Sequence, residues 1–287
     1  MTSGSCLCGK VAFTINGELS DMSHCHCSIC RKIHGSLFAT YLRATGLSYV
    51  RGQELVQTFK SSPEFERAFC GECGSVLPEP SISDSADANE ANDVYFVPAG
   101  LLDDDPKIRP ESHIFCESKS DAYMINDDLP QKQYYGNGET SGVVADREHV
   151  ARAGRVAGSC QCGDVAFEYT GTPKFMMNCH CSRCRKVKGA AHATNAFVPV
   201  DQFQWMQGQD RIINYDHAEA ERFGNAFCRQ CGSSVPRESG SSGAMNIPVG
   251  SLDDVPGIEA RGHIFMGSKA PWFEVSDELP QWDEMPS

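Results

Sequence analysis

The chain has 287 residues, 40% of them hydrophobic, 15 cysteines and a formal net charge of −13. That length fits about two domains of ordinary size. An acidic surface repels phosphate backbones and disfavours a nucleic-acid partner, and no apolar run approaches the ~20 residues of a membrane span.

In chain order, Cys6-x-Cys8 comes first, and residues 11–15 read as a strand. Cys25-x-Cys27-x-x-Cys30 follows, trailed by the basic Arg31 and Lys32. Residues 37–42, 47–50 and 55–59 read as strands, the last two as a hairpin around Arg51-Gly52-Gln53-Glu54. Then come Cys70-x-x-Cys73, a polar low-complexity stretch over 81–93 that reads as a surface loop, and His113 ahead of Ile-Phe. Residues 136–157 hold no cysteine and read as a linker, with a short helix expected over 146–155.

Beyond the linker the order repeats. Cys160-x-Cys162 precedes a strand at 165–169, and Cys179-x-Cys181-x-x-Cys184 precedes one at 191–198. A second hairpin is expected from 203–206 and 211–215, then Cys228-x-x-Cys231, then His263 before Ile-Phe. Only Cys116 falls outside the duplicated pattern, and it aligns with Met266. The expected architecture is mainly β: two tandem antiparallel units, 1–135 and 158–287, each with its own small core and a metal staple. Cysteines clustered in this way suit reduced thiolates better than disulfides. With no signal-peptide core at the N-terminus, a cytoplasmic compartment is expected, or a nuclear one.

Two or three residues between thiols let both sulfurs reach one ion. Cys6, Cys8, Cys70 and Cys73 form one set of four, and Cys160, Cys162, Cys228 and Cys231 the other. Each pair is followed by glycine, which permits the tight turn of a metal knuckle. Four thiolates from two knuckles make a closed, structural zinc site. Cys25, Cys27 and Cys30, and likewise Cys179, Cys181 and Cys184, offer three thiolates with no fourth cysteine shared by both units. Three protein ligands and an open position are the catalytic-zinc arrangement, and a thiol bound there is deprotonated. A closed alternative takes His26, His180 or Cys116 as fourth ligand. Up to four zinc ions per chain follow.

Arg31, Lys32, Arg183, Arg185, Lys186 and Lys188 form a basic run after each triplet, denser in the second unit. They read either as a rim for a small anion such as a peptide carboxylate, or as solvated charges on a helical turn.

Gly-Ser-Cys6-Leu-Cys8-Gly, Cys25-His-Cys-Ser-Ile-Cys30-Arg, Phe-Cys70-Gly-Glu-Cys73-Gly and His113-Ile-Phe, with their counterparts in the second unit, resemble the glutathione-dependent formaldehyde-activating enzyme family, which includes the centromere-protein-V branch. The resemblance covers nearly all of both units and implies a zinc-stapled, Mss4-like β fold. It implies a structural zinc on the outer pairs and a second zinc on each triplet. It also implies a carbon–sulfur lyase chemistry, the condensation of glutathione with formaldehyde to S-hydroxymethylglutathione, with glutathione as co-substrate and a small electrophile as the other partner. A typical member has one unit, and this chain has two.

The first unit has Lys119-Ser-Asp-Ala122 where the second keeps Lys269-Ala-Pro-Trp272. Together with the denser basic run, that predicts a more active second unit. His113 and His263 read equally as pocket residues or as strand-edge histidines, and Trp272 as core rather than ligand contact. The rival reading is a non-catalytic zinc module that binds protein or nucleic acid.

Overall fold

A computed structural model describes residues 1–62, 65–80, 94–134, 151–221, 223–240 and 243–286. The low-complexity stretch over 81–93 lies outside the described residues, as does most of the helix expected over 146–155. The end of that segment is a turn leading into the strand Arg155–Ser159, so the last residues of the expected linker already belong to a sheet.

The fold is mainly β and nearly all antiparallel. In the first unit, Thr2–Ser5, Ala12–Ile15 and Leu47–Arg51 form a three-stranded sheet. Leu19–Cys25 and Ala39–Thr45 lie inside a five-stranded sheet, flanked by the short His113–Ile114 on one side and by Val94–Pro98 and Glu79–Pro80 on the other. Val56–Lys60, Glu66–Cys70 and Val76–Leu77 form a third sheet. The second unit repeats the five-stranded sheet with Phe175–Cys179 and Ala193–Pro199 at its centre. In both units the short His-Ile strand runs parallel to the strand that ends at the triplet, so Ile114 lies beside Cys25 and Ile264 beside Cys179.

Neither expected hairpin forms. Leu47–Arg51 pairs with Ala12–Ile15, whereas Val56–Lys60 pairs with Glu66–Cys70. Likewise Phe203–Gln207 pairs with Ala166–Thr170, and Ile212–Asp216 with Gly224–Cys228. Between the strands the chain passes through Gly52 or Gly208, each at φ +72, and one 3₁₀ turn. A side chain at either glycine would strike the backbone carbonyl of Lys10 or Asp164 in the first knuckle. These glycines thus carry the chain tightly past a metal knuckle into another sheet.

Two seven-residue helices follow the triplets: α1, Ser28–His34, and α2, Ser182–Lys188. Cys27 and Cys181 are their N-caps, each sulfur accepting from the amide of the third cysteine. Gly35 and Gly189 end them at φ +61, the left-handed cap that glycine adopts without strain.

The expectation of two separate cores is overturned. A single buried cluster joins Phe13, Ile15, Leu42 and Leu101 of the first unit to Phe167, Tyr169, Ile247 and Trp272 of the second. The contacts are reciprocal, as a two-fold relation requires. Lys32 Nζ lies 2.5 Å from Asp253 Oδ1 and donates to Ser159 O at 2.9 Å. Lys186 Nζ lies 2.5 Å from Asp103 Oδ1 and donates to Leu101 O at 2.5 Å. A Cβ on Gly250 would overlap the backbone of Arg31 and Ser36 at the end of α1, and one on Gly100 would lie 2.5 Å from Ala190 N beyond α2. Phe69 and Phe227 meet edge to face across the same boundary.

Candidate metal centres

The distant cysteine pairs do converge. The sulfurs of Cys6, Cys8, Cys70 and Cys73 all lie within 4.8 Å of one another, as do those of Cys160, Cys162, Cys228 and Cys231. Individual separations are 3.4 Å for Cys6–Cys8, 3.9 Å for Cys8–Cys70, 3.4 Å for Cys160–Cys162 and 3.6 Å for Cys162–Cys228. A Zn–S bond of about 2.3 Å in a tetrahedron gives edges of about 3.8 Å, so both sets fit zinc. The knuckles feed these sulfurs as expected. Val11 N–H donates to Cys6 Sγ and Val165 N–H to Cys160 Sγ, both at 3.3 Å. Ser75 Oγ and Ser233 Oγ lie 3.3 Å from Cys73 Sγ and Cys231 Sγ. Cys73 is pushed down by the hydrogen bonds it takes from Cys6, then Cys70 and Cys8, and Cys231 by those from Cys160, then Cys162 and Cys228. A dication would compensate the negative charge that four such thiolates gather.

Each triplet also closes to within 4.8 Å, with Cys25 and Cys30 or Cys179 and Cys184 buried and the N-cap sulfur part-exposed. Cys181 is held down at about 3 by hydrogen bonds from Cys179 and then Cys184, while its bond to Cys181 pushes Cys179 up to about 12. Among the described residues no histidine, carboxylate or further cysteine joins either cluster, and Cys116 is not a member. The closed alternative therefore gains no fourth protein ligand.

His26 and His180 are committed elsewhere. His26 Nε2 meets His113 Nδ1 at 2.8 Å, and His113 Nε2 lies 3.0 Å from Asp127 Oδ1. His180 Nε2 meets His263 Nδ1 at 2.8 Å, and His263 Nε2 lies 3.1 Å from Asp277 Oδ1. All four rings are buried. Desolvation, then the neighbouring His113, lowers His26 to about 3, and desolvation, then His192 and His263, lowers His180 to about 2. His113 and His263 lie on the short edge strands of their sheets, and they are also the inner members of a duplicated hydrogen-bonded chain.

The basic run is divided by the fold. Lys32 and Lys186 are bound to the opposite unit, and Lys188 is buried, its pKa drawn down to about 8 by desolvation. Arg183 is exposed, and Arg185 Nε donates to Ser268 O. After desolvation and their histidine neighbours, Lys119 and then Arg31 also lower His26, and Lys269 and then Arg185 lower His180. Lys119 Nζ is braced by Tyr123 O at 2.5 Å, and Lys269 Nζ by Phe273 O. The matching placement of these lysines, each opening a four-residue stretch shortly after the His-Ile-Phe segment, is the sequence signal for them. Trp272 lies in the shared core.

The family model described as glutathione-dependent formaldehyde-activating enzyme matches residues 1–118 and again 155–268. The chain belongs to this family. Among relatives of the formaldehyde-activating family member described here is an uncharacterized lyase of Schizosaccharomyces pombe. It is 31% identical over 120 residues, covering 42% of this chain and 82% of that protein. A Rhodobacter sphaeroides protein of known crystal structure is 24% identical over 34% of this chain and 89% of its own, with a TM-score of 0.30. The two matched regions make this a tandem glutathione-dependent formaldehyde-activating family member, with one four-sulfur and one three-sulfur cluster in each. No helix among the described residues is long and apolar enough to cross a membrane.

Proposed function

We propose that the protein catalyses the reversible joining of a small thiol, glutathione foremost, to formaldehyde or another small electrophile at its two three-cysteine sites. The observation that carries this reading is a three-sulfur cluster in each unit with no fourth protein ligand among the described residues. Cys25, Cys27 and Cys30, and Cys179, Cys181 and Cys184, would hold the zinc. Zinc so held supplies a position where a thiol is bound as thiolate. In the forward direction a sulfur–carbon bond forms, the carbonyl π bond opens and its oxygen takes a proton. Lys119 and Lys269 would attract the carboxylates of an anionic thiol peptide. The four-sulfur sets serve as staples.

We rank the two units equally, because Lys186 is tied across the interface as Lys32 is and Trp272 lies in the shared core. Both triplets have the same sulfur set, histidine chain, lysine and arginine. Cys27→Ser and Cys181→Ser should therefore each remove about half of the thiol-dependent exchange of formaldehyde, because two like sites share the flux, and the double variant should fall to the uncatalysed rate. Exchange NMR on glutathione–formaldehyde mixtures measures this. A double variant that keeps wild-type exchange would sink the reading.

A further inference from the structure

The two triplets share their sulfurs but not the surface beside them. Side chains alternate along a strand, so residues two apart share a face. In the second unit Cys179, Met177 and Phe175 therefore share the face that also carries Ala193, Asn195 and Phe197 on the partner strand. The opposite face, with Met176, Ala196 and Ile247, belongs to the shared core. Met177, Cys179 and Cys184 form one buried cluster, and Phe175, Phe223, Phe265, Trp282 and the part-exposed Cys181 pack against it. Phe175 stacks on Phe197 with ring centroids 4.5 Å apart. Each of these rings keeps part of its surface open.

The first unit differs at the same places. Strand register sets Ser20 beside Arg43 and Ser23 beside Tyr41, where the second unit sets Phe175 beside Phe197 and Met177 beside Asn195. The residue whose amide bonds the carbonyl of His113 is Lys132, and its counterpart on His263 is Trp282. Ser20 and Lys132 are exposed, and Arg43 is paired with Asp21. The first unit carries its rings elsewhere on the face, with Tyr41 and Phe96 where the second has Asn195 and Asn246. Tyr41 is buried and committed to His34, 2.8 Å from its hydroxyl, and Phe96 packs on Phe65 under Arg67. One ring is common to both sites. Phe115 and Phe265 stand at φ 56 and 59, a left-handed conformation rare for a bulky residue, and each packs against its own triplet's cluster. Strain kept twice at the same place points to a ring needed beside the sulfurs.

We propose that the second triplet takes aldehydes bearing an apolar, ring-sized substituent, which lies against Phe175, Phe197 and Trp282, and that the first triplet does not favour them. The proposal rests on the thiol–aldehyde reading above and names the substrate class of one of its two sites. The bond change is the same at both. The thiolate sulfur bonds the carbonyl carbon, the π electron pair moves to oxygen, and that oxygen takes the proton that the thiol released. Formaldehyde has no substituent, so it meets both sites alike. Glutathione is the polar partner with carboxylates, so the apolar surface is left for the electrophile. Partial burial of a ring-sized group against these side chains should favour it about 30-fold at the second site.

The test uses the full chain, zinc-replete, with glutathione and either formaldehyde or phenylacetaldehyde. Cys27→Ser leaves the second triplet intact, and Cys181→Ser leaves the first. Exchange NMR gives kcat/KM for each aldehyde, and the quantity read is the phenylacetaldehyde-to-formaldehyde ratio. That ratio should be about 30-fold higher in Cys27→Ser than in Cys181→Ser. Adding Phe197→Arg and Trp282→Lys, the first unit's residues, to Cys27→Ser should lower it about 10-fold. Both rings are part-exposed, so the fold should tolerate the exchange. Equal ratios in two variants that both turn over formaldehyde would overturn the proposal and leave the thiol–aldehyde reading standing, and so would a higher ratio in Cys181→Ser. Should a variant fail to fold, the unmodified chain labelled at methionine methyls decides. Its Met177 signal should move with glutathione and phenylacetaldehyde and stay in place with glutathione and formaldehyde, and an unmoved signal would overturn the proposal. An unmodified chain that exchanges neither aldehyde would remove the thiol–aldehyde reading and this proposal with it.

Discussion

Replacing Cys228 by Ser is expected to unfold both units together, not the second alone. Cys228 is fully buried and joins the Gly224–Cys228 strand to the first knuckle at Cys160 and Cys162. A structural zinc contributes on the order of 10 kcal/mol of apparent folding energy, comparable with the whole stability of an ordinary domain. Loss of that staple releases the second unit, and the second unit supplies a large part of the shared core. The shared cluster loses Phe167, Tyr169 and Ile247, and Lys32 loses Asp253. Breaking a buried ion pair by removing one member costs about 3–5 kcal/mol further. The measurement is urea unfolding followed by resolved NMR signals from each unit. A first unit that keeps its native spectrum in Cys228→Ser would contradict the shared core.

Gly250→Val is expected to act at a distance, damaging the first unit's triplet more than the second's. The added Cβ would overlap Arg31 O and the backbone of Ser36, which bracket the end of α1. Those atoms are backbone, so no side-chain rotation relieves the overlap, and the helix must move. α1 carries Cys30, and its N-cap is Cys27. Overpacking of this kind costs about 3 kcal/mol, and part of it will appear as weaker metal binding at Cys25, Cys27 and Cys30. Gly100→Val should do the same to Cys179, Cys181 and Cys184, since its Cβ would lie 2.5 Å from Ala190 N. Competition with a chromogenic chelator, with each triplet read separately in a background lacking the other, measures this. Equal affinity in Gly250→Val and in the parent would mean that the interface tolerates separation.

The cysteine clusters were legible because ligand spacing is local and was written twice. The strands were legible for the same reason, in short apolar runs broken by glycine. The pairing was not. A Gly-containing turn between two strands reads alike whether the strands pair with each other or part, and at Gly52 and Gly208 they part into different sheets. The interface was invisible because Lys32 and Asp253 stand 221 residues apart, and a buried lysine looks like a solvated one in sequence. That is why Lys32, Lys186 and Lys188 read as an anion rim. Asp127 and Asp277 went unnoticed, although each lies 14 residues after its histidine in both units, a repeat as regular as that of the cysteines.

The most direct test of two closed and two open sulfur sites is zinc-edge X-ray absorption on the zinc-replete chain, with metal content measured in parallel. Four zinc ions, two bound by four sulfurs and two by three, give a mean sulfur coordination of about 3.5 per metal, rising to about 4 when glutathione is added. A mean of about 4 without added thiol, or one that glutathione leaves unchanged, would contradict the account.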